Sequence, residues 1–334
     1  MQRMRFIQVG VGGFGRLWTE VLTATADAEL VGLVDVDSDA LENAARRAEL
    51  SEDACYQELP RALDEVEADA VVNVTPPAVH HGVATETFKR GLHMLTEKPL
   101  ADDMDHARDM VRAADEAEVA LMVSQNYRFR SWARTVRALL GEGKAGNPDN
   151  IAVRFASAPR FEESFRRSME HPLVVDMSIH HFDLMRAVTG LEPERVYAET
   201  WQPSWSWFQH HPCCMAIFDF EGGMRACYDA SWVTRGRQTS SNGYWRIECT
   251  ESCVELLGDQ VHVLQGPGPS RDAEVEMHDM PCENQAYSLL EFQTAIREDR
   301  EPEASGRDNL RSLAMVYAVL ESSRTGQPVN MDDV

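Results

Sequence analysis

The run Phe6-Ile7-Gln8-Val9-Gly10-Val11-Gly12-Gly13-Phe14-Gly15, continuing into Arg16-Leu17-Trp18-Thr19-Glu20-Val21-Leu22, decides the fold of this chain. A short strand-like stretch meets a glycine loop, and a helix-like segment begins directly after it. The spacing Gly10-x-Gly12-x-x-Gly15 gives each glycine a task. Gly10 makes the turn, Gly12 lets backbone approach a pyrophosphate, and Gly15 lets helix and strand pack closely. Gly13 and Phe14 lie inside the same candidate cradle. Free N–H groups and the positive dipole end at the helix start favour phosphate. A glycine loop can also be an ordinary strand-to-helix turn, but about twenty residues on a second apolar strand, Leu30-Val31-Gly32-Leu33-Val34, ends in Asp35.

The alternation continues through Ala70–Val74 and Val119–Val123, separated by amphipathic stretches, which is the βαβ pattern of a parallel sheet. Asp102–Glu118 carries Met104, Ala107, Met110, Val111 and Ala114 at helical spacing and is expected to cover one face of that sheet. After Tyr127 the texture changes. A helix around Ala133–Leu140 and a Gly146-Asn147-Pro148 break lead into the run Ile151-Ala152-Val153-Arg154-Phe155. Val196–Trp201, Cys214–Phe220, Met224–Trp232, Tyr244–Cys249 and Val261–Leu264 then read as strands of an antiparallel sheet. A closing helix near Asn309–Thr325 places Leu310, Leu313, Ala314, Tyr317 and Leu320 on one face and stops at Gly326-Gln327-Pro328. The chain is thus expected to be an α/β protein, with a nucleotide-binding domain over residues 1–124 and an α+β domain over 125–334.

The 334 residues, 43% of them apolar, suffice for two cored domains. No apolar run is long enough for a membrane, and the first apolar stretch enters the glycine loop without a cleavage pattern, so the protein is read as cytoplasmic. A net charge of −23 and a pI near 4.8 argue against a nucleic-acid partner, because phosphate-backbone binding needs clustered Lys and Arg. The seven cysteines are odd in number and lack C-x-x-C spacing, so reduced thiols are expected.

Three short constellations carry candidate chemistry. Thr75-Pro76-Pro77-Ala78-Val79-His80 follows the Val71–Val74 strand, where ligands of parallel sheets bind, although Pro also suits the first turn of a helix. Glu97-Lys98-Pro99 follows Leu92–Thr96; the lysine charge would stabilise a developing alkoxide, or would simply be solvated in a loop. If Asp176 to Asp183 is helical, Asp176 and His180 are i,i+4 neighbours, and the carboxylate would orient an imidazole suited to general-base work. A metal held with His181 or Asp183 is the competing reading, but those side chains point to different helix faces. The pairs His80-His81, His180-His181 and His210-His211 also invite a metal, yet they lie far apart in sequence, and no metal is expected. Trp201-Gln202-Pro203-Ser204-Trp205-Ser206-Trp207-Phe208 reads equally as a sugar-stacking platform, as packing or as an oligomer contact.

Taken with Asn126-Tyr127-Arg128-Phe129, these motifs in this order resemble the glucose-fructose oxidoreductase and inositol dehydrogenase family (Gfo/Idh/MocA) along nearly the whole chain. The resemblance implies an N-terminal Rossmann domain, doubly wound, then a C-terminal α+β domain on a large, mostly antiparallel open sheet that forms a homodimer or homotetramer. It implies an NAD-dependent dehydrogenase acting on a secondary alcohol of a sugar, inositol or sugar derivative, with Lys98, Asp176 and His180 as the catalytic set. The implied cofactor contacts are Gly10, Gly12, Gly13, Phe14, Gly15, Asp35, Thr75, Pro76, His80, Glu97, Lys98 and Asn126; the implied substrate contacts are Lys98, Tyr127, Asp176, His180 and Tyr244. Asp35 favours NAD over NADP, because its charge would repel a 2′-phosphate. Where many members carry a glycine-rich segment before Asp-x-x-x-His, this chain has Arg166-Arg167-Ser168-Met169-Glu170-His171-Pro172-Leu173, so substrate identity does not transfer. The alternatives are a hydrolase or lyase that uses tightly bound NAD for transient oxidation, and a non-catalytic sensor.

Overall fold

The computed structural model describes residues 2–162, 164–266 and 271–334. It divides into two compact units: Met1–Asn126 with Cys282–Leu310, and Tyr127–Pro281 with Arg311–Val334.

The first unit alternates β1 (Met4–Val9), α1 (Gly15–Ala24), β2 (Ala28–Val34), α2 (Ser38–Ala48), β3 (Cys55–Tyr56), α3 (Leu59–Glu65), β4 (Ala70–Asn73), α4 (Pro77–Phe88), β5 (His93–Thr96), α5 (Met104–Glu116) and β6 (Leu121–Val123). The six strands are all parallel, in the order β3-β2-β1-β4-β5-β6. From β1 the chain moves to one side for β2 and β3 and to the other for β4 to β6. The order therefore reverses between β1 and β4, the place where doubly wound sheets open a ligand crevice at the strands' carboxyl ends. Both sheet faces are covered, so Phe6, Ile7, Val71, Val72, Met94 and Leu95 are buried without alternation. Helix starts follow their caps: the Asp37 carboxylate accepts from the amides of Asp39 and Ala40, and Asp103 accepts from that of His106.

The second unit holds α6 (Ser131–Gly141), β7 (Pro148–Ala156), a π-helical turn Leu173–Ser178 running into α7 (Ile179–Thr189), then β8 (Pro193–Trp201), β9 (Cys213–Phe220), β10 (Arg225–Ser231), β11 (Tyr244–Cys249), β12 (Ser252–Leu257), β13 (Gln260–Gln265) and β14 (Arg271–Glu274). With β15 (Val329–Asn330) they form one nine-stranded sheet, β14-β13-β12-β11-β7-β10-β9-β8-β15, antiparallel except for β7 beside β10. Its strands alternate: Ala226, Tyr228 and Ala230 of β10 are buried, whereas Arg225 and Cys227 are exposed. Helix α7 lies on the buried face, with Phe182 set edge-on to Phe218 and Tyr228 at 5.1 and 5.0 Å. This is the expected architecture of a parallel doubly wound sheet followed by a large, mostly antiparallel one.

The division differs from a single boundary at residue 124/125, because α8 (Asn284–Arg297) returns to the first unit. Phe292 packs against Phe6 with ring centroids 6.5 Å apart, and Gln293 Nε2 donates to the Asp27 carbonyl at 2.9 Å. The second boundary falls inside α9 (Gly306–Thr325). The buried side of α9 is also broader than expected. Ser312, Met315, Val319 and Ser322 are buried beside Leu313 and Ala314, while Leu310, Tyr317 and Leu320 are half-buried.

Candidate functional site

In the first unit the glycine loop fits its assigned tasks. Gly10 has φ +86°, and a Cβ there would lie 2.8 Å from the Val74 carbonyl; one on Gly15 would lie 2.3 Å from the Gly10 oxygen. A Cβ on Gly12 would meet nothing closer than 4.0 Å and one on Gly13 nothing within 4 Å, so this stretch of backbone is open to a phosphate group. Gln8, a polar residue inside an apolar strand, closes the loop from beneath. Its Nε2 donates to the carbonyls of Gly10 (3.0 Å) and Gly15 (2.7 Å), and its Oε1 accepts from Thr19. Asp35 Oδ2 accepts from the amides of Val11 (2.8 Å) and Gly12 (3.3 Å), which places a carboxylate at the rim of the loop. Phe14 is 51% exposed at the start of α1.

On the other side of β1 in the sheet, the neighbouring strands β4 and β5 end in the other candidate turns. The Asn73 side chain accepts from Thr75 N and Oγ1, fixing Thr75 ahead of the exposed Pro76 that precedes α4. Lys98 is half-buried after β5, joined to Pro99 by a cis peptide bond. His80 and Glu97, expected among the cofactor contacts, instead brace this turn. His80 has no exposed surface: Nδ1 faces the carbonyls of Pro99 (3.0 Å) and Leu100 (3.2 Å) and Nε2 that of Thr75 (2.8 Å), tying the two turns together. Burial lowers its pKa against the pull of those carbonyls. Glu97 points inward, accepting from Trp18 Nε1 at 2.9 Å and from the Lys98 amide at 3.2 Å; burial raises its pKa, and the Lys98 charge opposes that rise. Asn126 is buried in the 3-10 turn that follows β6.

In the second unit Asp176 sits in the π-helical turn and His180 in the first turn of α7, so the segment is helical but not a uniform α-helix. Tyr127 lies flat on His180, centroids 4.2 Å apart and planes at 10°, and the Arg130 guanidinium covers the other face of Tyr127 at 3.3 Å. Arg128 sets this stack in place through a two-pronged ion pair with Asp183 on α7, both bonds 2.6 Å and both side chains buried. Arg130 donates to Asn242 Oδ1, which also accepts from Trp132. Asp176 is held by Arg166, whose Nε and Nη2 donate to its two oxygens at 2.6 and 3.2 Å.

Sequence reasoning named Asp176, His180 and Tyr127 but missed Arg128, Arg130 and Arg166 as their supports. The arginines within Asn126–Phe129 and before Pro172 were visible; their partners were not. The metal reading of α7 fails, since Asp183 serves Arg128 and His181 is committed to Tyr228 Oη (2.9 Å) and the Ser241 carbonyl (3.0 Å). Burial lowers the pKa of His181 to about 4, so it stays neutral near pH 7. Tyr244 is corrected as a substrate contact. It alternates with the buried Trp245 of β11 and so lies on the sheet face away from α7, its hydroxyl donating to Glu255 at 2.8 Å. The tryptophan-rich segment does not form one platform. Trp201 is on that same outer face, Trp205 and Trp207 donate to the carbonyls of Val233 and Pro159, and Phe208 stacks on Trp232.

Residues 4–125 match the family described as "Oxidoreductase family, NAD-binding Rossmann fold", and residues 133–260 match "GFO/IDH/MocA C-terminal domain". Among curated proteins the chain is 27% identical to an inositol 2-dehydrogenase of Rhizobium meliloti, covering 96% of each chain. It is 26% identical to a D-apiose dehydrogenase of Paraburkholderia graminis, covering 99% of this chain and 90% of that one. Its fold matches that of an oxidoreductase from Agrobacterium radiobacter, solved with NAD+, L-tartaric acid and magnesium, at TM-score 0.90 and 21% identity over 99% of both chains.

Proposed function

We propose, from the premise that this chain belongs to the GFO/IDH/MocA oxidoreductase family, that it transfers hydride between a secondary alcohol of a sugar or polyol and NAD, with Lys98, Asp176 and His180 as its catalytic set. One observation carries this reading. The glycine loop, Asp35, Thr75 and Lys98 all follow the carboxyl ends of the four neighbouring strands β2, β1, β4 and β5, around the reversal of strand order. The nicotinamide, when bound, accepts or returns the hydride. In the oxidation direction His180 takes the hydroxyl proton, its ring plane held by Tyr127. Asp176 accepts a hydrogen bond from the substrate and assists His180, its own position fixed by Arg166. Lys98 holds the substrate oxygen and stabilises negative charge as the proton leaves.

The test is absorbance of the reduced nicotinamide, with NAD and then NADP, across inositols, aldoses, sugar acids and glycosides. Reduced NAD forming with one such class is the expected result. Substrate consumption by protein whose bound NAD never accumulates in reduced form would replace this reading with transient oxidation in a hydrolase or lyase.

Cofactor choice follows from Asp35. Two ribose hydroxyls donating to its carboxylate favour NAD, and Val36, 86% exposed beside it, offers no charge for a 2′-phosphate. Asp35→Ser is expected to lower the preference for NAD over NADP by about 10- to 100-fold, the worth of a hydrogen bond to a charged group. An unchanged ratio of kcat/KM values would remove Asp35 as the selecting residue.

The outer face of the nine-stranded sheet exposes Tyr197, Trp201, Met215 and Ile217, the last two more than half exposed. Contiguous apolar surface of this kind on a sheet marks an association site. We assign it to a second copy of the chain, giving a homodimer or homotetramer. Ile217→Asp is expected to shift the protein to monomer in sedimentation velocity, with the far-UV spectrum unchanged; a wild-type monomer would refute the assignment.

A further inference from the structure

We infer that Trp18 is a positioning residue for Lys98, acting through the buried carboxylate of Glu97, an inference that rests on the oxidoreductase reading above and extends its site to the helix behind the glycine loop. Trp18 lies in the first turn of α1 with no exposed surface, an uncommon degree of burial for so large a side chain. Its indole N–H donates to Glu97 Oε1 at 2.9 Å, and the other oxygen of that carboxylate, Oε2, accepts from the Lys98 amide at 3.2 Å. One donor from α1 and one from the lysine's own backbone thus meet the two oxygens of a single side chain. A carboxylate accepts on both sides, whereas a glutamine would turn its NH2 group toward one of the two N–H donors.

The pair is costly where it stands. Glu97 is 7% exposed and Trp18 is fully enclosed, so two apolar side chains of similar volume would fill the space without burying a carboxylate. What apolar side chains lack is direction. The Glu97 amide donates to the Asn73 carbonyl at 2.8 Å, and Asn73 Nδ2 donates to Thr96 Oγ1 at 3.0 Å, so the chain reaches Lys98 already held from β4. The Trp18 bond adds a hold from α1. The next residue of that helix, Thr19, donates to Gln8, whose amide group closes the glycine loop through the carbonyls of Gly10 and Gly15. Successive residues in one turn of α1 therefore fasten the glycine loop and the lysine turn to the same rigid element. This fixes Lys98 relative to the loop, as the proposed reaction requires of a cofactor held at one and a substrate oxygen held at the other.

The experiment uses the full-length protein, the variants Trp18→Phe and Glu97→Gln, and the same two changes in a Lys98→Ala background. Trp18→Phe keeps a ring and drops the N–H; Glu97→Gln keeps volume and can serve only one of the two donors. With NAD and the best substrate of the panel above, each single change is expected to lower kcat about 10-fold, because a displaced reacting group is costly, while the calorimetric dissociation constant for NAD stays within about threefold. In the Lys98→Ala background the same changes are expected to cost less than about twofold, since the residue that they place is gone. Equal costs in both backgrounds would make Trp18 a packing residue and overturn the inference, as would an unchanged kcat in both single variants. A second readout needs no turnover. The chain has three lysines, so reductive methylation followed by peptide mass measures the half-buried Lys98 against the exposed Lys89 and Lys144. Methylation of Lys98 is expected to run at least about threefold faster in both single variants, with the two reference lysines unmoved, as loosening confined to one turn gives. If no substrate reduces NAD, that result upholds the placement while the dehydrogenase reading falls. Lys98 methylated at the wild-type rate, or all three lysines methylated faster together, sinks the placement whatever the turnover. Glu97→Gln carries both readouts should Trp18→Phe fail to fold.

Discussion

His180→Ala is expected to lower kcat by about 10²- to 10⁴-fold, the range supplied by one positioned general base, while the dissociation constant for NAD stays within about threefold of wild type. The cofactor contacts expected from the glycine loop and Asp35 belong to the other unit and do not depend on this ring. Lys98→Ala is expected to cost about 10²- to 10³-fold in kcat, as removal of one electrostatic stabiliser does, and to raise KM as well, because the lysine is also proposed to hold the substrate. The two variants differ in pH dependence. Loss of His180 should flatten the rise of kcat/KM that deprotonation of a general base gives, whereas loss of Lys98 should preserve it. Steady-state rates of reduced nicotinamide formation from pH 5 to 10 make the comparison. Either variant retaining more than about a tenth of wild-type turnover would remove that residue from the catalytic set.

How far this site was legible depends on the range of the interaction. Gly10, Gly15 and Asp35 were readable because the motif is local: a positive φ, a 2.3 Å collision and a strand end are set by residues in one βαβ unit. Period-two burial made the strands of the second sheet readable in the same way, and also contained the answer on Tyr244, since Trp245 next to it takes the buried face. His80 and Glu97 were misplaced because their partners, Pro99, Leu100 and Trp18, are 19, 20 and 79 residues away. Strand-end position marks a ligand site and its scaffolding alike, and only burial separates them. Helix α8 was missed for a related reason: its buried positions include Gln285, Ser288, Glu291 and Gln293, so its apolar spacing does not reveal the surface that it covers.

The Arg128–Asp183 pair yields the second large effect, on stability. Both side chains are at most 5% exposed, and Asp183 also accepts from Ser312 Oγ at 2.6 Å. Arg128→Ala would leave a buried carboxylate without its cation, which costs about 3–5 kcal/mol, so a fall in the melting temperature of about 10 °C is expected by calorimetry. Removing both charges is different. Arg128→Met with Asp183→Val roughly keeps volume and leaves no orphaned ion, and such replacements are often neutral or stabilising, so the double variant should melt within about 3 °C of wild type. Its activity decides what the pair is for. Arg128 sits next to Tyr127, and Asp183 lies three residues after His180 on α7, so the ion pair fixes the tyrosine over the imidazole at 4.2 Å with a directional bond that two apolar side chains lack. Stability should therefore return in the double variant while kcat stays about 10-fold or more below wild type, since small displacements of a catalytic group are costly. If kcat returned with stability, the placement of Tyr127 would rest on Arg130 and its bond to Asn242 alone, and the buried pair would be an element of folding only.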